Sequence, residues 1–409
     1  MNNSNPVITG IGVIAPNAIG KDDFWQALKK ASSGIKPISL FDTTYFKAKT
    51  AGECKDFKPE DYLGSKGLRN LDRSTMLVCS AAKLALEDAK LEITDDSAYD
   101  VGVVTATTLS ISADLAKFSK EEAQVGARFV NPALFPPTTM NFPSSQLSIR
   151  YKIKGFNTTI STGYTAGLDA LKYAVEFIRA GRAKRVVIAG VESLSFSNFV
   201  GFYKVGFLAG IKGEEISCPF DKRHNGIVLG EGAGVVILED EQEALKRKAN
   251  IYAKVLSVAN SFDAYRAVKY TPQAIGLQRS MGVSLSHAGL GEEDIDYISA
   301  SANSVAQHDE LETEAIKKVF NIYAKNIPVS SIKSMLGESV SASGLLQLAA
   351  SIGAIKEGFI PPTINYQQKY DICDLNYVPN KAKSQAVNNV LINNFGPGGS
   401  NTTAVIAKY

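Results

Sequence analysis

The feature that most narrows the fold is an alternation. Short apolar, β-branched runs trade places with stretches of helical spacing, and the whole scheme occurs twice. In the first half "PVITGIGVI" (6–14), "VGVVTAT" (101–107), "RVVIAGVES" (185–193) and "GAGVVILED" (232–240) have strand character, and "DFWQALKKA" (23–31) and "STMLVCSAAKLALEDA" (74–89) have helical character. In the second half "NIYAKVLSVAN" (250–260), "DYISASA" (296–302), "IPVSSIK" (327–333), "NVLINNF" (389–395) and "TTAVIAK" (402–408) read as strands. Among them "GLQRSMGVSLSHAGL" (276–290), "TEAIKKVF" (313–320) and "GLLQLAASIGAIKEG" (344–358) read as helices. Such alternation predicts an α/β protein with buried sheets. Two halves of similar element order imply an internal duplication, divided here as 1–245 and 246–409. No Pro-, Gly- or Ser-rich linker separates them, so they are expected to pack as one body.

The bounds are broad. A chain of 409 residues can bury one large core or two. Its net charge of +3 offers no concentrated basic stripe for nucleic acid. "RAGRAKR" (179–185) and "KRK" (246–248) are expected on solvated helix faces and ends. No apolar run reaches the ~20 residues of a membrane span. "MNNSNPVITG" lacks the basic-then-apolar order of a signal peptide. Cys54, Cys79, Cys218 and Cys373 match no CxxC spacing, which fits a reducing, cytoplasmic setting. Cys79 is expected as a small core residue.

One local stretch poses the functional question. "TTISTGYTAGLDALKYA" (158–174) reads as a strand, a tight turn of small residues and an amphipathic helix. A turn of that kind presents a nucleophile, yet its apex is Tyr164, a phenol that is neutral at physiological pH. The Pro-rich "NPALFPPTTMNFPSS" (131–145) is read as the longest irregular stretch, and long loops are more often functional or interfacial than idle.

Three segments, in order, carry a resemblance: "VITGIGVIAPNAIGKDDFWQALKKASSGIKPISLFD" near the start, "CPFDKRHNGIVLGEGAGVVILED" (218–240) and "NNFGPGGSNTTAVI" (393–406). Together they resemble the β-ketoacyl synthases, over nearly the whole chain. The resemblance implies a thiolase-like, five-layered αβαβα fold with a ketosynthase-like half on each side of residue 245. Gly230, Gly232 and Gly234 then form a structural turn before a strand. Gly396, Gly398 and Gly399 are expected to line a pocket with exposed backbone N–H groups.

Members of that family condense acyl chains with one cysteine and two histidines. The thiol must ionise near neutral pH, and the imidazoles must donate to developing negative charge. Carried over by motif, the cysteine position falls in Gly163-Tyr164-Thr165-Ala166-Gly167. The first histidine position falls at Ser301 in "SASANSVA", and the second at Glu338 in "KSMLGES". The chain's three histidines, His224, His287 and His308, are expected at the surface or in caps. Asp309, Glu312 and Lys333 fall where the family keeps a charged network, expected here to serve packing.

Loss of all three groups resembles the chain length factor of type II polyketide synthases, the ketosynthase β-subunit, although Tyr164 departs from the glutamine often found there. That resemblance implies a silent subunit that heterodimerises with an active ketosynthase α-subunit and shapes a tunnel for the growing chain. It implies no cofactor of its own, since the phosphopantetheine arm belongs to a partner acyl carrier protein, and neither nucleic acid nor membrane as partner. Leu109, Ala113 and Phe118 are candidates for the tunnel, and Leu134 and Phe135 for the contact across the dimer. Pro397 stands in place of an aromatic gate. The product is expected to be aromatic, such as an anthraquinone, with an aryl polyene as the alternative. Two other classes stay open. One is a self-sufficient synthase or hydrolase using Ser161, Thr162 or Ser301, for which no histidine is suitably spaced. The other is a homodimeric scaffold or lipid carrier.

Overall fold

The computed structural model describes residues 6–409. The first five, which open the segment tested for a signal peptide, lie outside the described residues. The first half contributes β1 (Val7–Ala15), β2 (Val101–Ala106), β3 (Asn157–Ile160), β4 (Arg185–Glu192) and β5 (Gly232–Glu239). The second contributes β6 (Ala253–Phe262), β7 (Tyr297–Ser299), β8 (Val329–Ser330), β9 (Asn389–Phe395) and β10 (Ser400–Lys408). They join in the order β3-β2-β4-β5-β1-β6-β10-β9-β7-β8, and the short strand Ala18–Ile19 pairs with β1.

Outward from the centre, β1-β5-β4-β2-β3 and β6-β10-β9-β7-β8 follow one scheme: first, fifth, fourth, second, third. The senses match as well. The first two junctions of each half are antiparallel and the last two parallel. β1 and β6 join the halves through Val7↔Lys254 and Ile8↔Ala253. The duplication expected from element order is therefore present strand by strand.

The main helices are α1 (Arg73–Asp88), α2 (Ser112–Val125), α3 (Ala166–Arg179), α4 (Ile275–Ala288), α5 (Ala306–Phe320) and α6 (Ser343–Glu357). Successive strand residues face opposite sides of a sheet, and the cores divide accordingly. Val104, Ile188 and Val236 share a core with Leu168 and Leu171 of α3, Leu345 and Leu348 of α6, and Val390 and Ile392 of β9. Val103, Val187 and Val235 face the other way, onto Leu77, Ala81 and Ala85 of α1. Ile298, Leu391 and Val405 pack on Met281 and Leu285 of α4 and Ile316 of α5. The layers are thus helix, sheet, paired central helices, sheet, helices. The outer helix sits so close that a Cβ at Gly12 would lie 1.9 Å from the Ala81 carbonyl oxygen, a contact only glycine permits.

Three expectations need correction. α5 begins at Ala306, seven residues before the segment read as helical. Its first turns bury His308, Asp309 and Glu312, so the inward face is polar and apolar periodicity misses it. The Pro-rich stretch becomes short 3₁₀ turns at Pro132–Leu134 and Pro136–Thr138, and is helical from Phe142 to Tyr151. The segment 205–231, without a helix or named strand, is longer. Finally, Arg185 and Arg247 are not simply solvated. Both pair with the buried Glu239 carboxylate, which also accepts the Thr9 hydroxyl.

Candidate functional site

The turn after β3 has the expected form. A single 3₁₀ turn, Gly163–Thr165, leads into α3, with Gly163 at φ 69°. Tyr164 is half-buried at its apex. A Cβ on Gly396 would stand 2.7 Å from the Tyr164 ring, so the ring fills the space between the two turns. The Lys333 ammonium lies 6.0 Å from the ring centroid. Burial, with the Glu338 carboxylate adding to it, pushes the phenol well above its ordinary range. It is therefore a neutral side chain occupying volume.

Ser301 is fully buried. Its backbone N–H donates to Glu312 Oε1 at 2.9 Å, and the next N–H, of Ala302, donates to Oε2 at 2.8 Å. Burial raises Glu312 to about 7 against these donors. The Ser301 carbonyl accepts from Lys333 Nζ at 2.8 Å. The same ammonium pairs with Glu338 Oε2 at 2.8 Å. Asn303 Nδ2 donates to Oε2 at 3.0 Å, and Oε1 accepts from the Val340 N–H at 2.9 Å and the Ser343 hydroxyl at 2.7 Å. Where the resemblance implied an imidazole, a buried and fully bonded ion pair stands. Asp309 is equally committed, to the Asn303 and Phe220 N–H groups and to His224 Nδ1 at 3.0 Å.

The histidine expectation is wrong for two of three. His287 is exposed, but His224 and His308 are buried. Burial opposes charge on His224, yet the Asp309 carboxylate prevails and its pKa is raised. His308 lies face-on to Phe395, with ring centroids 3.8 Å apart. Its Nε2 is 3.1 Å from Ser301 Oγ and its Nδ1 is 2.9 Å from the Tyr270 hydroxyl. A histidine thus does stand beside Ser301, contrary to the spacing argument. It arrives from the first turn of α5, and the polar inner face of that helix was the signal that could have revealed it.

The glycine-rich turn also differs from expectation. The N–H groups of Gly396, Gly398 and Gly399 donate to the carbonyls of Ser400, Lys269 and Gly396, so they are spent within the fold. Thr162 donates to Asp169 at 2.5 Å, and Ser161 is exposed. All four cysteines are free and buried. Burial drives Cys79, Cys218 and Cys373 to about 12 and also raises Cys54 well above the ordinary thiol range, so none offers the thiolate that nucleophilic catalysis needs. Among the described residues no cluster of His, Cys, Asp and Glu could hold a metal ion, and no helix is long and apolar enough to cross a membrane.

Leu109 is brought to this site. With Glu192, Phe202, Glu338 and Val340 it lines a cavity of about 10 Å³, space for one water. Small-molecule sites run from about 300 Å³ upward. A groove of about 840 Å³ lies on the outer face of α1 and is lined by none of these residues. Ala113 and Phe118 sit on α2, a helix with no buried residue. Phe118 meets Phe135 edge-on at 6.1 Å. Leu134 is half-buried, Phe135 exposed and Pro397 half-buried.

Glu192 gives a pH signature. It accepts the N–H groups of Thr108 at 2.6 Å and Leu109 at 3.1 Å, yet burial raises it to about 7 from 4.5. Between those values the folded state holds the extra proton, so this group's contribution to stability falls as pH rises and levels off above about 7. Glu192→Gln should therefore gain on the parent from pH 5 to 7.5, by up to about 3 kcal/mol. Thermal melts of both proteins across that range check it; a constant difference would contradict it.

The comparisons agree with this architecture. Residues 4–244 match the model for "Beta-ketoacyl synthase, N-terminal domain", and residues 252–367 that for "Beta-ketoacyl synthase, C-terminal domain". The 3-oxoacyl-[acyl-carrier-protein] synthase 2 of Coxiella burnetii (strain RSA 493 / Nine Mile phase I) is 36% identical over 405 residues, 98% of each chain. The solved ishigamide ketosynthase/chain length factor superposes with a TM-score of 0.93 at 31% identity, covering 99% of both chains. A type II polyketide synthase acyl-carrier protein in complex with its ketosynthase, bound to the hexaketide, gives 0.92 at 28% identity, covering 99% of this chain and 100% of that one. Fold, turns and comparisons converge: the chain belongs to the β-ketoacyl synthase family.

Proposed function

We propose that this chain is a non-condensing chain length factor that pairs with an active ketosynthase and shapes the tunnel of a type II polyketide synthase in the cytoplasm. The observation that carries the reading is the filled site. A ring, a hydroxyl and an ion-paired carboxylate occupy the three positions where condensation needs a thiol and two imidazoles. A glutamate locked to Lys333 cannot donate to an enolate, and a neutral phenol packed against Gly396 offers no thiolate to accept an acyl chain.

The reading also accounts for the surface. β3 is the last strand of its sheet edge, and α2, which packs on the turns at Pro132–Leu134 and Pro136–Thr138, buries nothing of its own. Leu115, Val125, Phe129, Phe135 and Met140, on α2 and the segment that follows it, are exposed. An exposed apolar band of that kind marks an interaction surface, and an obligate partner would bury upward of about 2,000 Å². The ketosynthase α-subunit is the partner this reading assigns, with an acyl carrier protein delivering the chain. Asp309, Glu312 and Lys333 serve packing in this reading. The two halves, divided at residue 245, pack as one body in this reading. The product class is aromatic, such as an anthraquinone, or an aryl polyene.

The test is co-expression with the ketosynthase encoded beside it. The pair should purify 1:1, and the chain alone should be poorly soluble. Intact mass measurement with acyl carrier protein thioesters should show no acyl adduct at residue 164. A monodisperse homodimer that ignores the ketosynthase would favour a self-sufficient synthase with an atypical site. The contact between His308 and Ser301 is the observation that keeps that second reading open.

A further inference from the structure

Nothing in the silent-subunit reading uses the contact between Ser301 and His308. We propose that Ser301 is an acyl-accepting nucleophile, with His308 as its general base and Tyr164 as the plug that keeps it shut. It would accept a short acyl group from a thioester.

A serine nucleophile needs a base within hydrogen-bond reach, and a third group to orient that base. Both are present. Ser301 Oγ is 3.1 Å from His308 Nε2, and the opposite ring nitrogen is 2.9 Å from the Tyr270 hydroxyl. With Nδ1–H donating to Tyr270, the Nε2 lone pair faces the serine. Phe395 clamps the imidazole from one face, and its own backbone N–H points at Ser301 Oγ from 3.4 Å. The Lys333 ammonium fixes the Ser301 backbone through its carbonyl, at 2.8 Å. Burial and that ammonium hold His308 neutral, the form in which imidazole takes a proton.

The step is balanced. Ser301 Oγ attacks the thioester carbonyl carbon and its proton passes to His308 Nε2. The carbon–sulfur bond breaks, the thiolate recovers the proton from His308, and an ester remains on Ser301. Water then releases the acid by the same route.

Access is the missing part, and the geometry names its barrier. Ser301, His308, Phe395 and Lys333 are all buried, whereas Tyr164 is half-buried. Its ring rests on Gly396, next in the chain to the Phe395 amide, and faces Lys333. Trimming Tyr164 shortens the path from solvent to Ser301.

The experiment treats the full chain, as purified with its ketosynthase, with a fluorophosphonate and with the acetyl thioester of N-acetylcysteamine. The parent should label little. Tyr164→Ala, or Tyr164→Ser if Ala does not fold, should label at Ser301 at least tenfold faster, as mapped by peptide mass spectrometry. Adding Ser301→Ala should abolish this label, and adding His308→Asn should slow it about 100-fold or more. Adding Tyr270→Phe should slow it several-fold and move the midpoint of its pH profile, a change that a packing role would not produce. A folded Tyr164 variant that takes no label, takes it elsewhere, or keeps its rate without His308 overturns the proposal. The chain length factor reading stands or falls separately, on partner binding and product length.

Discussion

Lys333→Met should cost about 3–5 kcal/mol of stability, among the largest losses available to a single change in this chain. Glu338 is 1% exposed and Lys333 2%. Removing the ammonium leaves a carboxylate in the core with only Asn303, Ser343 and the Val340 N–H as neutral donors. It also orphans the Ser301 carbonyl, which accepts from the same nitrogen. A buried pair adds little net stability against an apolar pair of equal shape, yet breaking one side is severe, because the other charge stays behind. The double variant Lys333→Met/Glu338→Gln should therefore recover much of the loss. Chemical denaturation of the three proteins measures this directly. A single variant as stable as the parent would mean that the pair is solvated and that the site is open to water.

The same pair shows why some of the site was legible in the sequence and some was not. The strands were legible because β4 and β5 are apolar between their charged ends, Arg185, Glu192 and Glu239, as strands buried on both faces tend to be. The turn around Tyr164 was legible, a strand followed by a tight turn and a helix; the assignment of Tyr164, Ser301 and Glu338 to replaced catalytic positions rests on the resemblance. What the replacements do instead was not legible. A carboxylate at 338 has no predictable partner until the chain folds Lys333 onto it. His308 defeated the reading for a related reason. It sits in a polar first turn, and one imidazole beside an aspartate reads as a cap. Only the register of α5 against β9 places its ring on Phe395 and its Nε2 at Ser301. The glycine turn near the C-terminus misled in the opposite direction, since exposed N–H groups were expected and the fold consumes them.

The second large effect is on product length. If this subunit closes a tunnel, trimming a side chain at its end should lengthen the product, whereas changes in its own filled pocket should not. Leu109 and Phe118 are the candidates for that role. Leu109 borders the small cavity beside Glu338. Phe118 leans on Phe135 at the exposed side of α2, where a partner would pack. Each ketide unit adds about 2.5 Å of extended chain by ordinary bond lengths, close to what Leu→Ala or Phe→Ala vacates. Both side chains are half-buried, so the stability cost should lie at or below the low end of the roughly 2–5 kcal/mol found for buried residues. The paired enzyme should survive it. Phe118→Ala removes the larger side chain and should shift the product by one or two units. Leu109→Ala should shift it by one at most, because the Thr108 and Leu109 N–H groups stay fixed on Glu192. Tyr164→Ala should leave product length unchanged, because the space it opens lies over Lys333 and Gly396, in this subunit's own pocket. Mass analysis of products from the co-expressed pair decides the matter. If the gate variants lower yield without changing length while Tyr164→Ala abolishes synthesis, Tyr164 takes part in condensation, and the subunit is not silent.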